Sequence, residues 1–505
     1  FGAFALNTNN SDSNTGVGYY ALYANTTGGS NTAVGYVALD ANTTGADNTG
    51  VGKGALTANT TGSYNVAVGS DALRDNTTAT NNVAMGVNAA LTSTGANNVA
   101  IGNNTFRGTS NAGTNSVAVG YAALNANTTG ANNVAVGSFT LDANTTGGQN
   151  TAIGAYALTN TTDGSDNTVV GYNALADNVS GGQNSAFGRE ALKANTASNN
   201  TAVGYYASNA NTTGDNNVAI GRDAMQANTV GDKNVAVGNY ALHNYNPSSN
   251  EDGFNTAVGA FALEDLTSAN YTVAIGYTTA RDLTTGHANT FLGSFVAYEA
   301  TTPEYSVGIG YQALYNLTTA NHNTAVGMQS MYLNETGAYN TGCGNYSLYS
   351  NTGGYNSGFG YSALNYNTSG TYNTACGLQA GFTNTTGYNN TSVGALAGYT
   401  ASGGYNNTFV GVNAGYAVTT ADSSLMLGHN SGRADSPSGN VTTADGILCL
   451  GNNSISAFYC ADTSISSSDE RDKADITNFT HGLSWVKKMR PVTYKWDKRS
   501  WYLEE

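Results

Sequence analysis

The chain has 505 residues, of which only 10% are charged, with 4 prolines against 64 glycines and a formal charge of −15. Globular chains are about a quarter charged, and disordered ones are charge- or proline-rich and poor in aromatics, so 33 tyrosines, 14 phenylalanines and a 40% hydrophobic fraction exclude both a single ordinary globule and an unfolded tail. Over residues 1–467 the balance is 9 Lys+Arg against 25 Asp+Glu, or −16, a surface that repels phosphate backbones and argues against a nucleic-acid partner.

Phe1 and Gly2 stand in the middle of a repeat, so an attachment domain or export signal is expected ahead of them. From Gly2 to Gly428 the glycine of a T-A-V-G motif recurs 26 times, and 19 of the 25 intervals are 17 residues long. A fixed period of this kind means a solenoid. One unit, Thr32 to Asn48, reads TAVGYVALDANTTGADN and numbers the positions 1 to 17 used below.

Positions 1 and 3 take Thr, Val or Ser and then Val, Ile, Phe, Leu or Met, while positions 2 and 4 are nearly always Ala or Gly. This alternation predicts a short strand with positions 1 and 3 on one face and an Ala/Gly face lying against something close. Gly at position 4 admits a positive φ or a close backbone approach. A second short strand is expected over positions 5 to 8, as in Tyr36-Val37-Ala38-Leu39, with the leucine of position 8 packing on the Val/Ile column. The remainder, A-N-T-T-G-x-x-N, reads as loop, and helix is disfavoured because Gly, Asn and Thr recur every few residues.

Coils of this kind stacked about 4.8 Å apart would make a rod of roughly 125 Å. The Asn at position 17 (Asn31, Asn48, Asn65, Asn150, Asn167, Asn184) is a candidate side-chain amide ladder. The A-[VI]-G-x-x-A pattern resembles the left-handed β-roll head of trimeric autotransporter adhesins and the Asn-Thr-Thr-Gly repeats of phage-type tail fibres. That resemblance implies an all-β parallel β-solenoid of about 26 coils over residues 1–435, assembled as a side-by-side homotrimer.

Several residues along the shaft are candidates for recognition. Asn-x-Thr sequons at Asn42, Asn59, Asn76, Asn127, Asn144 and Asn211 are glycan acceptors in a eukaryotic secretory route, although the same residues suit turns and ladders. Tyr339, Tyr355, Tyr372, Tyr388 and Tyr405 recur ahead of the strand and read either as a carbohydrate-binding stripe or as mutual stacking. The longest interval, 21 residues from Gly238 to Gly259, carries Pro247, Glu251 and Asp252 on a candidate contact loop. The Thr pairs stand in Gly-flanked loops rather than in the flat ranks of an ice-binding surface. Acidic residues such as Asp40, Asp47 and Asp142 scatter over the coil without the paired carboxylates of a polysaccharide hydrolase.

Cys343, Cys376, Cys449 and Cys460 show neither metal-ligand spacing nor a disulfide framework, and no cofactor is implied. Cys343 and Cys376 fill the Val/Ile position and read as small buried hydrophobes. No apolar run approaches the roughly 18 residues of a membrane span.

After Gly428 the repeat fades into a β neck over 436–467, and residues 468–505 change composition, holding all three tryptophans and helical spacing at Trp485, Val486 and Met489. SDERDK, Ser468 to Lys473, followed by GLSWVKKMRPVTYKW, resembles the start of the self-cleaving intramolecular chaperone of tail fibres and endosialidases. The resemblance implies Ser468 as nucleophile, Lys473 as general base and Ser467-Ser468 as the cleaved bond; a capping box with a solvated lysine is the plainer alternative. Only 38 residues follow Ser467, so the domain is expected to be incomplete. The expectation is a structural fibre, of a virion or a cell surface, whose partners are its own copies and a host receptor or glycan. Its rivals are a bacterial adhesin of the same architecture and a carbohydrate-binding or depolymerising fibre.

Overall fold

A computed structural model describes residues 2–109, 111–249 and 253–457. The first compact unit, residues 1–453, is a parallel β-solenoid with 26 strands of three residues, β1 (Thr15–Val17) to β26 (Leu448–Leu450), and no helix among the described residues. Each strand pairs with the next in register, so that Thr32, Ala33 and Val34 lie beside Thr49, Gly50 and Val51. The register carries on past Gly428: Leu425 pairs with Leu448 across a coil of 23 residues, and the sheet therefore reaches into the span read from sequence as a neck.

Each coil holds one strand rather than two. Positions 5 to 8 instead alternate in the sign of φ, with Val37 at 50° and Leu39 at 52°, and their amides bond to the coils on either side. The Val37 amide donates to Tyr19 O of the previous coil at 2.9 Å, and the Leu39 amide to Ala55 O of the next at 3.0 Å. A left-handed conformation costs a non-glycine residue roughly 1–2 kcal/mol, which burial of a leucine side chain, about 1.5–3 kcal/mol, offsets. Leu39, Leu56 and Leu73 are fully buried.

The two faces of the strand are the reverse of the expected arrangement. Position 2 points inward, where Ala33, Ala67 and Ala84 are fully buried with the leucines of position 8, whereas positions 1 and 3 are half-buried or exposed. A small residue is favoured inside because leucine takes most of the narrow coil, with Val169 between Leu158 and Leu175 a larger case. Where position 8 becomes Gly398 and Gly415, position 2 becomes Phe409, whose ring occupies the space a leucine would take. The interior thus keeps its volume by exchange between two positions, as close packing demands. Cys343 and Cys376, expected to be buried, are exposed for the same reason: position 3 faces out.

Glycine at position 4 behaves as its neighbours require. Gly35 has φ +144°, and a Cβ there would overlap the carbonyl oxygen of Gly52 one coil on. Two columns of buried asparagine lock the loop side. At position 17, Asn31 Oδ1 accepts the Asn48 backbone amide at 3.0 Å, and Asn31 Nδ2 donates to Gly45 O at 2.8 Å. At position 11, Asn42 Nδ2 donates to Asn25 Oδ1 at 2.7 Å and to the same Gly45 O at 2.9 Å. Threonine at position 12 adds a third column, with Thr43 Oγ1 on Thr60 O at 3.0 Å.

Replacing Asn48 tests the position-17 column. Asn48→Ala leaves the buried Asn65 amide, which donates to Asn48 Oδ1 at 3.0 Å, without its acceptor, at a cost of about 1–3 kcal/mol. Hydrogen exchange at Asn65 should accelerate by roughly 5- to 150-fold. Asn48→Ser should be milder, because Ser116 Oγ accepts the Asn133 amide in the same way at 3.1 Å.

Candidate functional site

The six sequon asparagines, Asn42, Asn59, Asn76, Asn127, Asn144 and Asn211, occupy position 11 and are fully buried. Nδ2, the atom a glycan would occupy, is committed in each. Asn59 donates to Asn42 Oδ1 at 2.8 Å and to Gly62 O at 2.9 Å, and Asn211 to Asn195 Oδ1 at 2.6 Å and to Gly214 O at 2.8 Å. Asn76, Asn127 and Asn144 repeat the pattern. A glycan at these atoms and the closed coil exclude one another.

The tyrosine stripe resolves into two stacks. Tyr339, Tyr355 and Tyr372 stand immediately before the position-17 asparagine, with positive φ, and continue a column that begins at Tyr305 and His322. Their rings are nearly parallel, 5.0 Å apart from Tyr339 to Tyr355 and 4.8 Å from Tyr355 to Tyr372. Tyr388 and Tyr405 sit one position earlier and stack on each other at 4.8 Å. Inside such a column both faces of a ring are covered by its neighbours, which leaves edges and hydroxyls to solvent.

A second aromatic column escapes a reading centred on the loop. At position 9, directly after the buried position 8, Tyr298, Tyr315, Tyr332 and Tyr349 stack at 5.0–5.3 Å. After an interruption at Asn365 it resumes as Phe382, Tyr399 and Tyr416, capped by the Arg433 guanidinium 4.6 Å above the Tyr416 ring. The signal was present as an aromatic at fixed spacing from the position-4 glycine.

The long interval from Gly238 to Gly259 begins inward. Tyr245 takes position 11 in place of asparagine and is fully buried, and Tyr245 and Pro247 lie over Gly231. The chain rejoins the stack through a parallel bridge from Asp232 to Gly253. Glu251 and Asp252 lie outside the described residues, as do Ser468, Lys473 and Cys460.

Asp40 and Asp142 share position 9, and burial pushes both carboxyls above the usual range. Among the described residues no group of three or more His, Cys, Asp or Glu is placed to hold a metal, and no helix is long and apolar enough to cross a membrane.

Residues 468–502 match the family model described as chaperone of endosialidase. No curated protein matches the chain. The chaperone segment and the repeat solenoid together fit the tail-fibre and endosialidase type.

A carboxyl whose pKa is raised on folding binds its proton more tightly in the native state, so it destabilises the fold as pH climbs through the folded pKa and ceases to do so below the unfolded value near 4. Asp40→Asn and Asp142→Asn, which place in position 9 the residue found at Asn125 and Asn209, should therefore raise the unfolding temperature at neutral pH. That advantage should shrink as the pH approaches 4, measured by thermal melts across the range.

Proposed function

Taking the C-terminal chaperone match as premise, we propose that this chain is the shaft of a homotrimeric phage-type tail fibre, whose work is mechanical reach and display for attachment to a host surface. The observation that carries the reading is the outward sheet face. Position 3 presents Met85, Ile101, Ile153, Phe187, Ile220 and Leu292 in one column at 38–44% exposure. A continuous apolar strip on a soluble chain marks an association surface. Its occupant is another copy of the chain, because a strip repeating with the coil is matched along its whole length only by a surface of the same period. The contact face of the trimer is then the Val/Ile face, not the Ala/Gly face that the coil interior uses.

The chaperone-type segment supports a virion fibre over a bacterial surface adhesin of the same architecture. In this reading the chain is no metabolic enzyme, and its one reaction is release of the chaperone. The Ser468 hydroxyl adds to the carbonyl carbon of Ser467 while Lys473 takes its proton. The C–N bond breaks with that proton passing to the Ser468 amine, and water hydrolyses the resulting ester. Mass spectrometry of the chain carrying the complete chaperone should find the Ser467-Ser468 cut in wild type and none in Ser468→Ala; an intact wild type ends this part of the reading.

Trimerisation has a separate test. Sedimentation of the assembled chain should give three copies, and Ile153→Lys with Ile220→Lys, each placing a charge in the outward column, should shift it towards monomer without loss of β circular dichroism. A double variant that stays fully trimeric would sink the proposed interface.

A further inference from the structure

Tyr339, Tyr355 and Tyr372 follow one another at one coil per step and are open to solvent, at 50%, 50% and 58% exposure. Their ring planes differ by only 3° and 8°, and those of Tyr388 and Tyr405 by 3°. Parallel rings one coil step apart set each atom over its counterpart. The carbon beside one hydroxyl therefore faces the same carbon of the next ring at about the ring spacing, 4.8–5.0 Å. Stacking covers the faces of these rings and leaves that edge open. Tyr372 and Tyr388 also stand on consecutive coils, yet out of line: Tyr372 has φ 57°, whereas at the next coil Asn389 takes the positive φ and Tyr388 precedes it.

The aromatic column at position 9 is parallel too, but cations lie against it, Arg281 4.4 Å over Tyr298 and Arg433 4.6 Å over Tyr416. A positive charge there opposes removal of an electron from the ring. Among the described residues no cation lies over Tyr339, Tyr355 or Tyr372. At Tyr405 the Asp422 carboxylate accepts the phenolic hydrogen bond, which raises the pKa of that hydroxyl and supplies a base for the proton that leaves with an electron.

We propose that these outer columns are oxidative cross-linking sites, at which a haem peroxidase with hydrogen peroxide joins tyrosines of consecutive coils as dityrosine. Each phenol gives up one electron and its proton. The two tyrosyl radicals couple through the carbons ortho to oxygen, and each of those carbons then loses its hydrogen as a proton while a proton returns to each oxygen, restoring both phenols. Hydrogen peroxide takes up the two electrons and two protons and leaves as two waters. Coupling needs no diffusion, because the column already holds each radical beside its partner, and the open edge gives the rings room to tilt through the remaining distance. The product is a covalent staple across one coil, which restrains an opening that hydrogen bonds alone would otherwise resist. The inference stands apart from the fibre reading above.

The test is treatment of the assembled chain with a haem peroxidase and hydrogen peroxide until Tyr64, 62% exposed, is modified, followed by digestion and mass spectrometry of linked peptides. The expected links join Tyr339 to Tyr355, Tyr355 to Tyr372 and Tyr388 to Tyr405, each lighter by two hydrogens than its separate peptides. They should exceed any link between Tyr372 and Tyr388 about tenfold or more. Tyr355→Phe keeps the stack, as Phe254 does on Tyr271 at 5.3 Å, and should remove the first two links while sparing the third. Hydrogen exchange at the Asn373 amide, which donates to Asn356 Oδ1 at 3.0 Å, should slow in treated wild type and not in treated Tyr355→Phe. Modified Tyr64 without links in the columns, or links as frequent between Tyr372 and Tyr388 as between Tyr355 and Tyr372, overturns the proposal. Sedimentation of untreated chain decides the fibre reading separately, so either can fail alone.

Discussion

One carbonyl oxygen per coil, that of the glycine at position 14, gathers the loop side of this solenoid. Gly62 O accepts Nδ2 of Asn48 from the coil before and of Asn59 from its own coil, both at 2.9 Å. These groups are buried, so each asparagine that satisfies them exchanges a desolvation penalty for a bond. The requirement passes from coil to coil, since each Asn Oδ1 at position 17 also accepts the next coil's backbone amide. Charge plays no comparable part: among the described residues the four ion pairs, such as Arg74 with Asp75 and Arg222 with Asp223, join neighbours in sequence and none bridges two coils. Solvent-exposed pairs of that kind contribute little.

The narrow interior follows from the same geometry. With asparagines filling one side of the coil, the other holds one large apolar side chain beside a smaller one, such as Leu39 with Ala33, Leu175 with Val169, or Phe291 with Ala297. The larger apolar residues at positions 1 and 3 are therefore turned outward. A chain that spends its valines and isoleucines on its surface carries an apolar strip with the period of its coils, and interior and exterior are parts of a single packing solution.

Aromatic residues tell a related story. Stacked one coil apart, they cover one another and stiffen the column, as from Tyr298 to Tyr349. Where Thr278 replaces a ring at position 6, the preceding Tyr277 meets Phe261 and Phe295 edge-on at 6.3 and 5.4 Å. Regularity gives this molecule its continuous stacks.

The 17-residue period, the strand at each T-A-V, the positive φ of Gly35 and its equivalents, and the position-17 asparagine column were legible in the sequence, because each depends on local sterics repeated 26 times. Which face of the strand is inside was not. Alternation separates two faces but does not say which is enclosed, and only the closed coil shows that Ala33 points within and Val34 outward. The sequons at Asn42 and Asn59 read two ways for a similar reason: Asn-x-Thr is chemically both a glycan acceptor and a ladder residue, and only stacking shows that Nδ2 faces another asparagine. Period and local backbone belong to the sequence by itself, whereas inside and outside are decided by tertiary stacking, since a coil acquires its surroundings only from its neighbours.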